Sequence, residues 1–201
     1  MLHLRPPDYR VMPWKDGGGR TTELAIEPPG AGLSDPFLWR VSSAQVEVSG
    51  PFSHFPGQMR TLLLLEGAGF LLDFGRKGRQ RLKHPGQVVT FSGDDTVNAT
   101  LIQGACVDFG VISDPRRVET DVQWLTLGTS PTSITLAPTT LLFAPWGPVH
   151  VDPLGLELEP CDCLWFGAAA AEAPTQGAGS KLKLRAAFGT TPLVVLSIQP
   201  V

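Results

Sequence analysis

Two arginines carry the most specific chemistry in this chain. Arg40 follows Trp39 inside the run FLWRVSSAQVEV, and Arg60 heads the leucine-rich run MRTLLLLEG. A guanidinium presents five donors in a fork that matches a carboxylate, so two of them on neighbouring strands would suit a ligand with two carboxylates. The structural alternative for Arg40 is a pair with Glu23 or Asp108, because a cation set among apolar residues needs a partner. Lys15, just ahead of Gly17-Gly18-Gly19, offers a third cation beside backbone N–H groups that can approach a ligand closely. A surface turn in which glycine permits positive φ explains the same residues. The stretch is not a phosphate loop, since no Gly-Lys-Ser/Thr follows it and no helix begins there. Phe52, Phe55 and Trp39 can wall a pocket or simply fill a core.

Other reactive side chains lack the company that catalysis requires. Ser42 and Ser53 offer hydroxyls without a G-x-S-x-G context, and His54 next to Ser53 in sequence reads as loop packing. Glu23, Asp94 and Asp108 are candidate acids or bases. Asp108, on a strand, suits partnering the arginines better, and Asp94-Asp95 suits a turn. Cys106, in an apolar run, reads as an inert core thiol. Cys161 and Cys163 are one residue apart, which fits neither a mutual disulfide nor the usual zinc spacing, so free buried thiols in a reducing cytoplasm are expected.

The elements that position these groups are short and numerous. The chain has 201 residues with 22 glycines and 19 prolines, too many helix breakers for a bundle. Hydrophobic residues make up 42%, enough for a real core. The formal charge of −3 argues against nucleic acid as a partner, and no apolar run approaches the ~20 residues that span a bilayer. The N-terminus, with an acid and prolines where a signal peptide would be apolar, does not indicate export, so a cytoplasmic location is expected.

Strand-sized pieces recur along the chain between Gly and Pro turns. Leu62 to Leu65 cannot alternate, so that strand should be covered on both faces. It is expected to form a hairpin with GFLLDFG through a glycine loop, and GRKGRQRLK reads as a solvated hairpin arm. Asp114 to Gln123 reads as a helical turn or two, with Asp114 as N-cap and Pro115 in the first helical position. Ala168 to Ala173 and the PTQGAGS after it read as a small-residue linker. The predicted architecture is all-β, two barrels packed as one compact unit, at residues 1–113 and 114–201.

The phrases LLLLEGAGFLLDFG and HPGQVVTFSGD resemble the hairpin and turn pattern of cupin barrels. Three longer stretches, PWKDGGGRTTELAIEPP, FLWRVSSAQVEVSGPFSHFPGQMRTLLLLEG and FSGDDTVNATLIQGACVDFGVI, together resemble the HutD/Ves family of bicupins over residues 13 to 112. The chain departs from the family pattern at Asp16 and Gly110, where Asn is usual, and at Ile112, where Met is usual. Asp16 can accept hydrogen bonds but not donate them, and Gly110 removes an amide.

The resemblance implies a double-stranded β-helix fold in each half, and a protein that senses an intermediate of histidine utilisation, N-formylglutamate being the ligand it suggests. Cupins often hold a metal through an H-x-H pair, a Glu and a later His. None of His3, His54, His84 and His150 is paired that way, so neither metal nor cofactor is expected. The ligand residues expected are Lys15, Glu23, Trp39, Arg40, Ser42, Phe52, Phe55, Arg60 and Asp108. An enzyme acting on a small carboxylate through Glu23 or Asp108 is the alternative, and a structural or interaction module without a ligand, its second half forming a dimer surface, is the third reading; an unpaired barrel edge makes a homodimer reasonable.

Overall fold

A computed structural model describes residues 1–167 and 177–201, so most of the linker expected from Ala168 lies outside the described residues. The strands are β1 (Leu2–Leu4), β2 (Arg10–Pro13), β3 (Gly19–Glu27), β4 (Trp39–Val46), β5 (Gly50–Pro51) and β6 (Met59–Glu66). They continue as β7 (Phe70–Asp73), β8 (Arg79–Leu82), β9 (Val88–Ser92), β10 (Asn98–Leu101), β11 (Cys106–Ser113) and β12 (Val118–Leu127). The remainder are β13 (Thr132–Thr135), β14 (Thr139–Ala144), β15 (Val149–Asp152), β16 (Leu156–Leu158), β17 (Asp162–Phe166), β18 (Lys181–Ala186) and β19 (Thr191–Pro200). Two short 3-10 turns, Pro6–Asp8 and Gly75–Lys77, are the helical elements among the described residues. The chain is all-β, as expected.

Two compact units emerge. One is built from Tyr9–Val118 and the other from Met1–Asp8 with Glu119–Pro200. The first contains a six-stranded sheet, β2-β3-β4-β11-β6-β9, and a four-stranded sheet, β5-β10-β7-β8. The second contains a five-stranded sheet, β1-β17-β14-β19-β12, and a four-stranded sheet, β13-β18-β15-β16. Residues 1–8 join the second unit because β1 pairs antiparallel with β17 and His3 Nε2 meets Asp162 Oδ2 at 2.8 Å.

Side-chain alternation explains where each core lies. In the second unit Val149, Val151, Leu158, Leu182, Leu184 and Leu193 are fully buried among other apolar residues. In the first, Val46, Leu62, Leu64, Phe70, Leu72 and Val97 form a comparable cluster. All four leucines of β6 are buried, as the unbroken run requires.

Three local expectations are corrected. β6 and β7 do not form a hairpin: β6 pairs with β11 and β9, whereas β7 pairs with β10 and β8. The glycine loop passes the chain from one sheet to the other. Gly69 has φ +95° and a Cβ there would fall 1.8 Å from the Leu82 carbonyl oxygen, so only glycine lets β7 lie so close to the end of β8. The helix expected at 114–123 is a single turn followed by a strand. Asp114 accepts from the Arg116 N–H and its carbonyl from Val118, after which Val118, Thr120 and Val122 alternate with polar residues at the period of a strand. Cys161, expected to be buried, is exposed and adopts φ 67°, whereas Cys106 and Cys163 are buried.

Candidate functional site

Backbone register sets a row of side chains across the larger sheet of the Tyr9–Val118 unit. Ile112 of β11 pairs with Arg40 of β4 on one side and with Arg60 of β6 on the other. Phe91 of β9 continues the row beyond Arg60. The next row on the same face is Ser42, Gly110 and Leu62, and after it come Ala44, Asp108 and Leu64. The cations therefore occupy one row of the sheet, and Ser42 and Asp108 lie in the two rows that follow, beside Leu62 and Leu64.

Apart from Leu64, these residues border a cavity of about 600 Å³. Of the side chains expected at the site, Lys15, Arg40, Ser42, Phe52, Phe55, Arg60 and Asp108 line it. Glu23 and Trp39 are not among its lining residues. Strand alternation turns Trp39 to the face opposite Arg40, where it is buried. Glu23 is occupied with cations: its carboxylate accepts from Arg40 Nε at 2.6 Å and lies 3.1 Å from Arg10 Nη2. The structural pairing considered for Arg40 is thus made with Glu23, yet through Nε alone, so the rest of the guanidinium is not engaged by that bond.

Arg60 has a different environment. It makes no ion pair among the described residues. Its Nη1 donates to the Ser53 carbonyl at 2.8 Å. The guanidinium carbon lies 5.1 Å from the Phe52 ring centre, 5.2 Å from Phe91 and 5.4 Å from Phe55. Three ring faces hold the cation by its charge without neutralising it. Burial lowers its pKa to about 10, with Arg40 pushing the same way and Asp108 opposing, so Arg60 remains a cation at neutral pH. Phe91 was not singled out from sequence, although its alternation within VVTFS and the pairing of that run with MRTLL place it beside Arg60.

Asp108 is 4% exposed and its carboxylate has no hydrogen bond or ion pair among the described residues. Desolvation pushes its pKa up to about 7, against the lowering influence of Arg60. A Cβ built on Gly110 would lie 3.6 Å from Ser42 Oγ and 3.7 Å from Asp108 Oδ1, so both polar atoms border the space that this glycine leaves open.

The glycine run has a packing role. A Cβ at Gly19 would come 2.2 Å from the Gln45 carbonyl oxygen, so the run lets β3 close onto β4. Asp16 Oδ1 accepts from the Gly18 N–H at 2.9 Å, and Trp14 Nε1 donates to Thr21 Oγ1 at 2.8 Å. This turn leaves Lys15 exposed while it borders the cavity. Ser53 and Thr61 also line the cavity, whereas no group of three His, Cys, Asp or Glu suited to a metal occurs among the described residues. No helix is long and apolar enough to cross a membrane among them.

Known proteins place this architecture. A solved structure of a conserved protein of unknown function from Pseudomonas aeruginosa PAO1 is 35% identical, with 98% of each chain covered and a TM-score of 0.82. HutD from Pseudomonas fluorescens SBW25 is 33% identical over 98% of each chain, with a TM-score of 0.75. Distant chains such as YhhW from Escherichia coli, 11% identical with a TM-score of 0.66, share the fold alone, which is that of the cupins. A protein in the hutC 3' region of Pseudomonas putida is 42% identical over 80% of this chain and 84% of its own length. The HutD family model matches residues 6–183, and the chain belongs to the HutD family.

Proposed function

We propose that the protein binds a small acidic metabolite in the cavity of the Tyr9–Val118 unit, and that the ligand is an intermediate of histidine utilisation, N-formylglutamate being the candidate. The observation that carries this reading is Arg60, a half-buried cation with no carboxylate partner, held by three aromatic rings at the wall of a cavity of about 600 Å³. Cavities of ~300–1,000 Å³ with few polar groups on an apolar lining are typical of small-ligand sites. Arg40 and Lys15 add positive potential, and a partly dry site strengthens their attraction for an anion. The family's link to the histidine-utilisation locus supports the pathway.

Titration calorimetry with N-formylglutamate, formiminoglutamate, glutamate and urocanate tests the reading. Binding of at least one, with a rise in melting temperature, is expected, and Arg60→Ala should weaken it by about tenfold or more. No heat and no thermal shift from any of the four at millimolar concentration would sink it.

A second reading, an enzyme acting on a small carboxylate, is favoured by one feature: burial raises the Asp108 pKa to about 7 inside the same cavity, in the range a general acid or base works in. Glu23, engaged with Arg10 and Arg40, is poorly suited to that work. Mass spectrometry of the same metabolites incubated with protein separates the readings. Turnover that Asp108→Asn abolishes while binding persists would favour the enzyme.

A further inference from the structure

We propose that Asp108 and Ser42, on either side of the bare backbone of Gly110, form a second polar subsite that selects an acidic ligand bearing an N–H donor over a plain dicarboxylate. The inference rests on the cavity being an anion site and deepens that reading by assigning the ligand's other end.

The cavity is chemically two-sided. At one level Arg40 and Arg60 offer donors only, which suits a carboxylate. At the other, Asp108 offers acceptor oxygens and Ser42 a hydroxyl. Asp108 is not consumed as a counter-ion, because Glu23 takes that part for Arg40 and Arg10, and Arg60 is held by Ser53 and the rings. A carboxyl group that is 4% exposed and unpartnered carries a desolvation cost that a donor would relieve. Ser42 Oγ and Asp108 Oδ1 both border the space over Gly110, which gives that donor a place to sit. A plain dicarboxylate brings no donor to that acceptor. An amide or ammonium N–H would satisfy it.

The spacing permits one ligand to reach both ends. Asp108 pairs with Leu64, four residues along β6 from Arg60. Four residues of strand span about 13 Å between Cα atoms, and the long arginine side chain shortens the gap. The selected class is an N-substituted or free amino acid with an acidic side chain, and Asp108 is its specificity-determining residue.

The test compares glutarate, glutamate and N-formylglutamate, which share a five-carbon diacid backbone and differ at the N–H group. By calorimetry, wild-type protein should bind N-formylglutamate about tenfold or more tightly than glutarate. Asp108→Leu, which removes the acceptor, and Gly110→Ala, which puts a methyl group into the shared space, should each erase most of that preference by weakening N-formylglutamate binding more than glutarate binding. The alanine methyl meets its neighbours at ordinary contact distances, so Gly110→Ala is expected to fold and gives an answer even if Asp108→Leu does not. Equal affinity for glutarate and N-formylglutamate, or an undiminished preference in folded Gly110→Ala, overturns the subsite while the anion site stands. Binding of none of the three overturns both.

Discussion

At the scale of single residues, the cavity separates two ways of keeping a charge inside a barrel. Glu23 and Arg40 neutralise each other, whereas Arg60 is surrounded by rings and Asp108 is left without a partner. Asp108 has a consequence for stability. Its pKa is raised to about 7 in the folded protein, above the usual value of 3.8, so the native state holds this proton where the unfolded chain has lost it. Stability should therefore fall as pH rises through that window, by at most on the order of 4 kcal/mol for this group. The charged neighbour that acts on this value is Arg60, which favours the ionised form against the effect of burial. Urea unfolding of Asp108→Asn between pH 4 and 8 should show a flatter profile than wild type. A variant that loses stability as steeply as wild type across that range would remove Asp108 as the cause.

At the scale of elements, the passage from β6 to β7 decides whether the barrel closes. The strand Met59–Glu66 belongs to the larger sheet and Phe70–Asp73 to the smaller one, so the three residues between them must change sheets. Gly69 meets that demand through a positive φ and an approach to Leu82 that no side chain tolerates. Gly69→Ala should cost about 3 kcal/mol or more in denaturant unfolding. Gly104→Ala, also at positive φ but in open space, should cost only about 1–2 kcal/mol. Similar losses for the two would mean that backbone conformation alone matters at position 69. The failure to expect this crossing has a plain cause: two apolar runs joined by glycines look alike whether they pair with each other or with different strands. The helix expected after Asp114 failed for a related reason. Asp-Pro signals a turn, and the alternation of Val118, Thr120 and Val122 that follows outweighs it.

At the scale of the whole molecule, the chain's first residues serve the unit formed by its last eighty. His3 bonds Asp162, which is 3% exposed and whose Oδ2 also accepts from the Glu159 N–H. His3→Ala should lower unfolding stability by about 1–3 kcal/mol, since it takes a partner from a buried carboxylate, and leave metabolite titrations unchanged because the cavity is lined by other residues. A loss of ligand affinity in that variant would show that the cavity depends on this strand. The sequence by itself determined the all-β class and the buried leucine strand, and it singled out seven of the side chains that line the cavity, because turn residues, apolar runs and strand alternation are local properties. Tertiary structure decided which acid neutralises which arginine, that Phe91 joins Phe52 and Phe55 around Arg60, and that Asp108 and Ser42 share the space over Gly110. Those outcomes depend on strand register across residues far apart in the chain, and a shift of one residue there would turn each side chain to the opposite face.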